Sequence, residues 1–211
     1  MSNNNPYQSY PWEYDKWYDQ NLPAYQSELD CLRGFLPITG VGLEIGVGTG
    51  RFAGPLGIEW GIDPAREMLV RGRPRGVRGI QGRGEFLPFD SGSFDYVIMV
   101  TVLCFLACPE RVVGEVHRVL KDEGRLIIGF VDRESHLGKK YQEKKEDSRF
   151  YREARFSSVP DIFQLLSSAA WRDILVRQTL LVAPEEMTSV QSSSEGWGEG
   201  GFVVVSAGKG E

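Results

Sequence analysis

Histidine and cysteine are scarce in this chain. Among its 211 residues are two histidines, His117 and His136, and three cysteines, Cys31, Cys104 and Cys108. So few histidines leave little for a histidine-based triad, and His117, beside Arg118 in a helical pattern, reads as a surface or capping residue. An odd cysteine count argues against a disulfide framework. The spacing of Cys104, Cys108 and His117 is looser than metal centres use, and no second pair closes a tetrahedron. The cysteines are therefore expected as small buried hydrophobes, with no metal. Excess positive charge is also missing: the net charge is −5, which disfavours a protein that grips nucleic acid through its phosphates. No apolar run approaches membrane-spanning length, and residues 1–6 lack a basic and apolar signal pattern. A cytoplasmic protein without membrane contact is the expectation. No internal repeat is visible.

What is present suits one α/β domain: 41% hydrophobic and 25% charged residues in a chain long enough to bury a sizeable core. Its organising stretch is Val41-Gly42-Leu43-Glu44-Ile45-Gly46-Val47-Gly48-Thr49-Gly50-Arg51. An apolar run over 41–45 reads as a buried strand, and three glycines at alternate positions follow it. Such glycines let the backbone turn sharply and let a ligand approach where a Cβ would stand. Trp60-Gly61-Ile62-Asp63 reads as a second strand ending in a carboxylate, placed to bond the ribose hydroxyls of a nucleoside. The dinucleotide fingerprint G-x-G-x-x-G does not fit, because the third glycine comes one position early and Arg51 takes the last position. Glu44, near the ligand end of the strand, would repel a pyrophosphate but welcome a cationic amino acid moiety. Its plain alternative is a strand-end ion pair.

Strands and helices alternate beyond this point, the signature of a doubly wound parallel sheet. A helix opens at Pro64, a buried strand covers 94–100, and a helix opens at Pro109 with Val112, Val113, Val116, Val119 and Leu120 on one face. Residues 121–124 read as a turn into an apolar strand at 125–131. A charged helix is expected over 135–147. Ser157 and Ser158 can cap a helix with Val159, Ile162, Phe163, Leu166 and Ala170 on one side. Strands at 172–182 and 201–207 close the chain, around an acidic Ser/Gly-rich loop at 184–200 expected to be mobile. Upstream, Tyr25, Leu29, Leu32 and Leu36 place an amphipathic helix over 24–36, ended by Pro37. The six arginines between Arg66 and Arg83 offer one reading as a basic patch for RNA; lacking interleaved aromatics, they read instead as a solvated surface.

Three stretches resemble the methyltransferase type 11 group of the class I S-adenosylmethionine-dependent methyltransferases. The first is Glu44 to Gly50, as E-x-G-x-G-x-G. The second is Gly84-Glu85-Phe86-Leu87-Pro88-Phe89 with Ser93-Phe94-Asp95, and the third is Glu115-Val116-His117-Arg118-Val119-Leu120-Lys121-Asp122-Glu123-Gly124. The resemblance spans residues 41–131. It implies a Rossmann-like seven-stranded sheet, mostly parallel, with helices on both faces and an antiparallel C-terminal pair whose last strand inserts between strands five and six. It implies S-adenosylmethionine as cofactor, with Glu44, Gly46, Gly48 and Gly50 holding its methionine portion. Asp63 would accept from the ribose hydroxyls with Pro64 and Met68 packed nearby. Gly84, Glu85 and Phe86 would border adenine, and Thr101 would face the methionine end. Two departures stand out: Arg83 replaces a frequent acid, and Cys104-Phe105 replaces frequent paired histidines, which removes an obvious general base.

Tyr7, Tyr10, Trp12, Tyr14, Trp17 and Tyr18, with acids between them, are too aromatic for a disordered tail and too polar for a core helix. Residues 1–36 are expected to form a lid and helix over a cofactor-binding domain at 37–211, within a single structural domain; the alternative is simple packing on its surface. Tyr14, Trp17, Tyr18 and Tyr151 are candidates for an acceptor pocket, and Arg152 and Arg155 for anion clamps. The expected activity is methyl transfer to a small molecule. The competing readings are a non-catalytic cofactor-binding or interaction protein, an RNA methyltransferase and an NAD-dependent oxidoreductase.

Overall fold

The computed structural model describes residues 5–167 and 170–210. Residues 1–4, 168, 169 and 211, which the lid and domain boundaries above include, lie outside the described residues. Three helices open the chain: α1 (Pro6–Ser9), α2 (Pro11–Gln20) and α3 (Leu22–Arg33). There follow β1 (Gly42–Ile45), α4 (Ala53–Leu56), β2 (Trp60–Asp63), α5 (Arg66–Gly72), β3 (Arg78–Gln81) and β4 (Phe94–Val100). The chain closes with α6 (Pro109–Val119), β5 (Leu120–Val131), α7 (His136–Glu143), α8 (Val159–Leu166), β6 (Trp171–Thr179), β7 (Ser194–Glu195) and β8 (Phe202–Lys209).

The strands form one sheet in the order β3-β2-β1-β4-β5-β8-β6-β7. The first five are parallel, and β8 runs antiparallel between β5 and β6. Alternate residues feed cores on opposite faces: in β4, Val97 and Met99 pack on one side with α6 and α8, while Tyr96, Ile98 and Val100 pack on the other with α3. That division follows from the period-2 geometry of a strand covered by helices on both faces. Ser158 caps α8 in a reciprocal box with Asp161.

The seven-strand expectation becomes eight, because Ser194–Glu195 pairs with Arg177 and Gln178 inside the stretch taken as an irregular loop. β3 escaped the sequence pattern: it is an edge strand of polar and glycine residues, largely exposed. The turn at 121–124 is instead absorbed into β5 as a register irregularity opposite Phe94 and Tyr96, with Glu123 at φ 66°. The helix at 24–36 starts earlier, since Pro23 is tolerated in a first turn, and it stops at Gly34. α5 starts two residues after Pro64, because Asp63 holds the Ala65 amide outside the helix. Ala170 lies beyond α8, which ends at Leu166. Of the cysteines only Cys31 is buried; Cys104 is half-buried and Cys108 exposed at the N-cap of α6.

The arginine-rich stretch is partly turned inward. The Asp15 carboxylate of α2, 2% exposed, accepts from Thr49 Oγ1 at 2.6 Å, Arg51 Nε at 2.9 Å, Arg71 Nε at 2.6 Å and Arg75 Nη2 at 3.1 Å. Burial raises the Asp15 carboxyl, but these donors outweigh it and hold the group below its ordinary value. Arg75 also donates to the Thr49 carbonyl at 2.8 Å, and the Tyr25 hydroxyl donates to the Arg51 carbonyl. One carboxylate thus fastens α2 across the turn that follows β1. Asp15→Asn would leave Arg71 and Arg75 without their counter-charge and Arg51 with Asp19 alone. It is expected to cost roughly 2–4 kcal/mol, the lower end allowing for the half-exposed Arg71, and to open the first two helices to protease. Denaturant midpoints and limited proteolysis check this; an unchanged midpoint with unchanged cleavage would show that α2 is held by its aromatic contacts instead.

Candidate active site

The site forms where β1 and β4 separate at their carboxyl ends. Beyond β1 the backbone enters the left-handed region at Gly46, with φ 73°, and again at Gly48, with φ 52°. A Cβ at Gly46 would stand 2.3 Å from Val102 Cγ2, and one at Gly48 would stand 3.0 Å from Met68 Cε. Torsion and space together require glycine at Gly46, and the torsion favours it at Gly48. Asp63, ending β2, accepts from the Gly48 amide at 2.9 Å and the Ala65 amide at 2.7 Å. The carboxyl is 8% exposed, and burial pushes it up to about 6 despite those two bonds. Each oxygen keeps a lone pair for a further donor.

Glu44, on β1, is 1% exposed, and its Oε2 has no hydrogen-bond partner. Burial drives this carboxyl well above the ordinary range, opposed by the Ala53 backbone and reinforced by Asp63. The strand-end ion pair considered above is not formed among the described residues. At the exit of β4, Thr101 adopts φ 50°, an uncommon conformation for a β-branched residue that costs on the order of 1–3 kcal/mol. Its amide bonds Gly129 at 2.8 Å, and its carbonyl accepts from Cys104 Sγ at 3.5 Å. A cavity there is lined by Thr101, Leu103, Cys104, Phe130, Val131, Tyr151, Phe156 and Ser157.

Pro64 is exposed and Met68 is buried against Gly48. Gly84 packs on Ile45 and Val112, and Glu85, 6% exposed, meets Arg83 at 3.3 Å. Phe86 is 63% exposed, with the Arg111 guanidinium 3.9 Å above its ring. The motif around Glu115 and Arg118 works from behind. Glu115 accepts from the Leu87 amide at 2.8 Å, and Arg118 donates to the Leu87 and Phe89 carbonyls at 3.1 and 2.8 Å. Asp95 similarly joins the Val41 amide at 2.7 Å to Lys121 at 2.9 Å. These bonds fix the 84–89 loop and the start of β1 without facing the site.

The aromatic residues of α1 and α2 meet those of the 140–156 segment above the glycine turn. Tyr14 and Tyr18 share a 2.8 Å hydroxyl hydrogen bond, and Trp17 packs edge-on against Tyr18. Tyr7 contacts Tyr14 and Phe105, and Tyr151 stacks between Phe105 and Tyr141. Tyr14, Tyr18 and Tyr151 are thus brought together. Arg152 and Arg155 are exposed; Arg152 donates to the Glu146 carbonyl at 3.1 Å, and Arg155 lines a separate groove beside Leu106 and Ile162. Sequence reasoning passed over Asp15, Glu28, Phe105 and Tyr141. Glu28 had a signal: it falls on the apolar stripe of Tyr25, Leu29 and Leu32, where a carboxylate is out of place. His117 lies edge-on to Trp171, neither free at the surface nor in the site.

Comparison with known proteins agrees with this architecture. A methyltransferase domain family matches residues 43–128. An uncharacterized protein of Methanocaldococcus jannaschii is 43% identical over 97% of this chain and 99% of its own length. A Thermotoga maritima crystal structure, described as an S-adenosylmethionine-dependent methyltransferase and possible histamine N-methyltransferase, is 43% identical with a TM-score of 0.93, covering 97% of this chain and 98% of that one. An N-methyltransferase of Haemonchus contortus, solved with phosphomonomethylethanolamine and S-adenosylhomocysteine, shares the fold at 16% identity and a TM-score of 0.64, over 88% of this chain and 53% of that one. Sheet order, glycine turn and full-length relatives converge: the chain belongs to the type 11 group of the class I S-adenosylmethionine-dependent methyltransferases, with S-adenosylmethionine as its cofactor.

Proposed function

We propose that this chain transfers a methyl group from S-adenosylmethionine to a small-molecule acceptor by in-line displacement. The observation that carries the proposal is the unpartnered Oε2 of Glu44, buried beside the Gly46–Gly48 turn with Asp63 as its electrostatic neighbour. A buried carboxylate without a partner is costly, and an ammonium group placed there would remove the cost. The residues therefore fit the cofactor. Glu44 receives its amino group, the backbone of Gly46, Gly48 and Gly50 lies against its methionine portion, and Asp63 accepts from its ribose with Pro64 and Met68 alongside. Gly84, Glu85 and Phe86 border the base. Because the Glu85 carboxylate is already engaged by Arg83, the loop backbone is the better donor and acceptor for the adenine edge. Thr101 faces the methionine end. When bound, the cofactor supplies a methyl group made electrophilic by a cationic sulfur.

For such a displacement, alignment of the nucleophile and exclusion of water carry much of the rate. The ring cluster over the glycine turn supplies both. Tyr14 and Tyr18 form its α2 wall, Trp17 backs Tyr18, and Tyr151 forms the opposite wall; Arg152 and Arg155 stand outside it, where a clamp would reach only an acceptor's projecting end. A turn covered by packed rings, with Tyr151 also lining the cavity beside Thr101, suits a small acceptor. RNA is disfavoured further by Arg71 and Arg75, whose charge is spent on Asp15.

Asp63→Ala is expected to weaken S-adenosylhomocysteine binding by more than about tenfold, the size of two lost hydrogen bonds. Calorimetry measures this, and an unchanged affinity in a folded variant would remove Asp63 from the ribose site. With S-adenosylmethionine labelled in its methyl group, the label is expected in the small-molecule fraction of a cell extract. Label confined to precipitable protein or RNA would overturn the acceptor class.

A further inference from the structure

We propose that Glu28 recognises the methyl acceptor, and that the acceptor it selects carries a basic amine. The inference rests on the cofactor and acceptor sites assigned above, and it names the substrate class that they take. Glu28 lies on the inner face of α3 and is 4% exposed. Among the described residues no hydrogen bond or ion pair reaches its carboxyl, and burial alone pushes that group up to about 8. A glutamate that merely filled a core would be paired or replaced by an apolar residue.

Its surroundings show what it faces. The hydroxyls of Tyr14 and Tyr18 and the phenol of Tyr141 all lie within its electrostatic reach. Tyr14 is also within reach of Glu44 and Asp63, so Glu28 and the two cofactor carboxylates share one neighbourhood around that phenol. The rings continue from Tyr14 through Tyr7, Phe105 and Tyr151 to Tyr141, with neighbouring centroids 5.4–6.1 Å apart. A buried, unpaired carboxylate within reach of this run of rings attracts a cation by ring quadrupole and by charge together. A neutral alcohol or an anionic acid would gain from neither. An ammonium beside Glu28 makes the carboxylate its stable form. Before a nitrogen can attack, it must surrender a proton: the N–H bond breaks, the proton passes to a Glu28 oxygen, and the electron pair stays on nitrogen. This supplies the base that Cys104 and Phe105 do not.

The test is calorimetric titration of the full chain, loaded with S-adenosylhomocysteine, with 2-phenylethylamine, tryptamine and butylamine, each against its corresponding alcohol. At least one amine is expected to bind at least about tenfold more tightly than its alcohol. Glu28→Gln should abolish that preference while S-adenosylhomocysteine affinity stays within about twofold. Equal binding of every amine and its alcohol by the unaltered chain overturns the proposal, as does a preference that survives in Glu28→Gln. The amine-to-alcohol comparison needs no variant, so it decides even where Glu28→Gln fails to fold. Repeating it without S-adenosylhomocysteine separates the two readings, because failure to bind that compound counts against the cofactor site while the amine preference still reads Glu28.

Discussion

The bonds from the Gly48 and Ala65 amides to the Asp63 carboxylate hold the site in shape. They tie the glycine turn after β1 to the start of α5, so the two elements that would flank a bound nucleoside cannot drift apart. Each such bond to a charged acceptor contributes about 1.5–3 kcal/mol where the carboxylate is ionised. Yet burial pushes the group up from its ordinary 3.8 to about 6, so desolvation exceeds what the two amides return. Because the folded value lies above the unfolded one, Asp63 favours the folded ligand-free protein most below about 4. That contribution is lost as pH rises through about 6.

The same imbalance recurs at Glu44 and Glu28, so three buried carboxyls around the Tyr14 phenol await positive charge or hydrogen-bond donors. Asp15 makes the contrast. It is as deeply buried, but three arginines and a threonine satisfy it, and it titrates below its ordinary value. Asp15 is a fastening inside the protein, whereas the other three are the carboxyls proposed to meet ligand. The aromatic cover fits between these two uses of charge: α2 is fixed over the glycine turn by Asp15, and it brings Tyr14 and Tyr18 to where the unsatisfied carboxyls lie.

Much of this was legible in the sequence wherever a local rule decided the outcome. The alternation of apolar strands and one-faced helices gave the doubly wound sheet, and the alternate glycines gave the turn, because only glycine meets both the torsion and the space at Gly46. The exposed edge strand at Arg78–Gln81 carried no hydrophobic alternation and so left no trace. The Ser194–Glu195 strand is fixed by pairing across the sheet rather than by its own composition. Long-range pairing also hid Asp15: nothing nearby in sequence announces that Thr49, Arg51, Arg71 and Arg75 converge on it. Glu115, Arg118 and Asp95 belong to the recognisable motifs, and the structure gives them a physical role as tethers of the 84–89 loop and of β1.

The central claim is that buried, partly protonated carboxyls ionise when the cofactor arrives. Calorimetric titration with S-adenosylhomocysteine at pH 6, in two buffers of different ionisation enthalpy, measures the protons exchanged on binding. The account predicts net release, on the order of one proton per ligand, as Asp63 and Glu44 meet ribose hydroxyls and an ammonium group. Tight binding with no dependence on the buffer would contradict it, for it would mean that neither carboxyl changes its charge when the site fills.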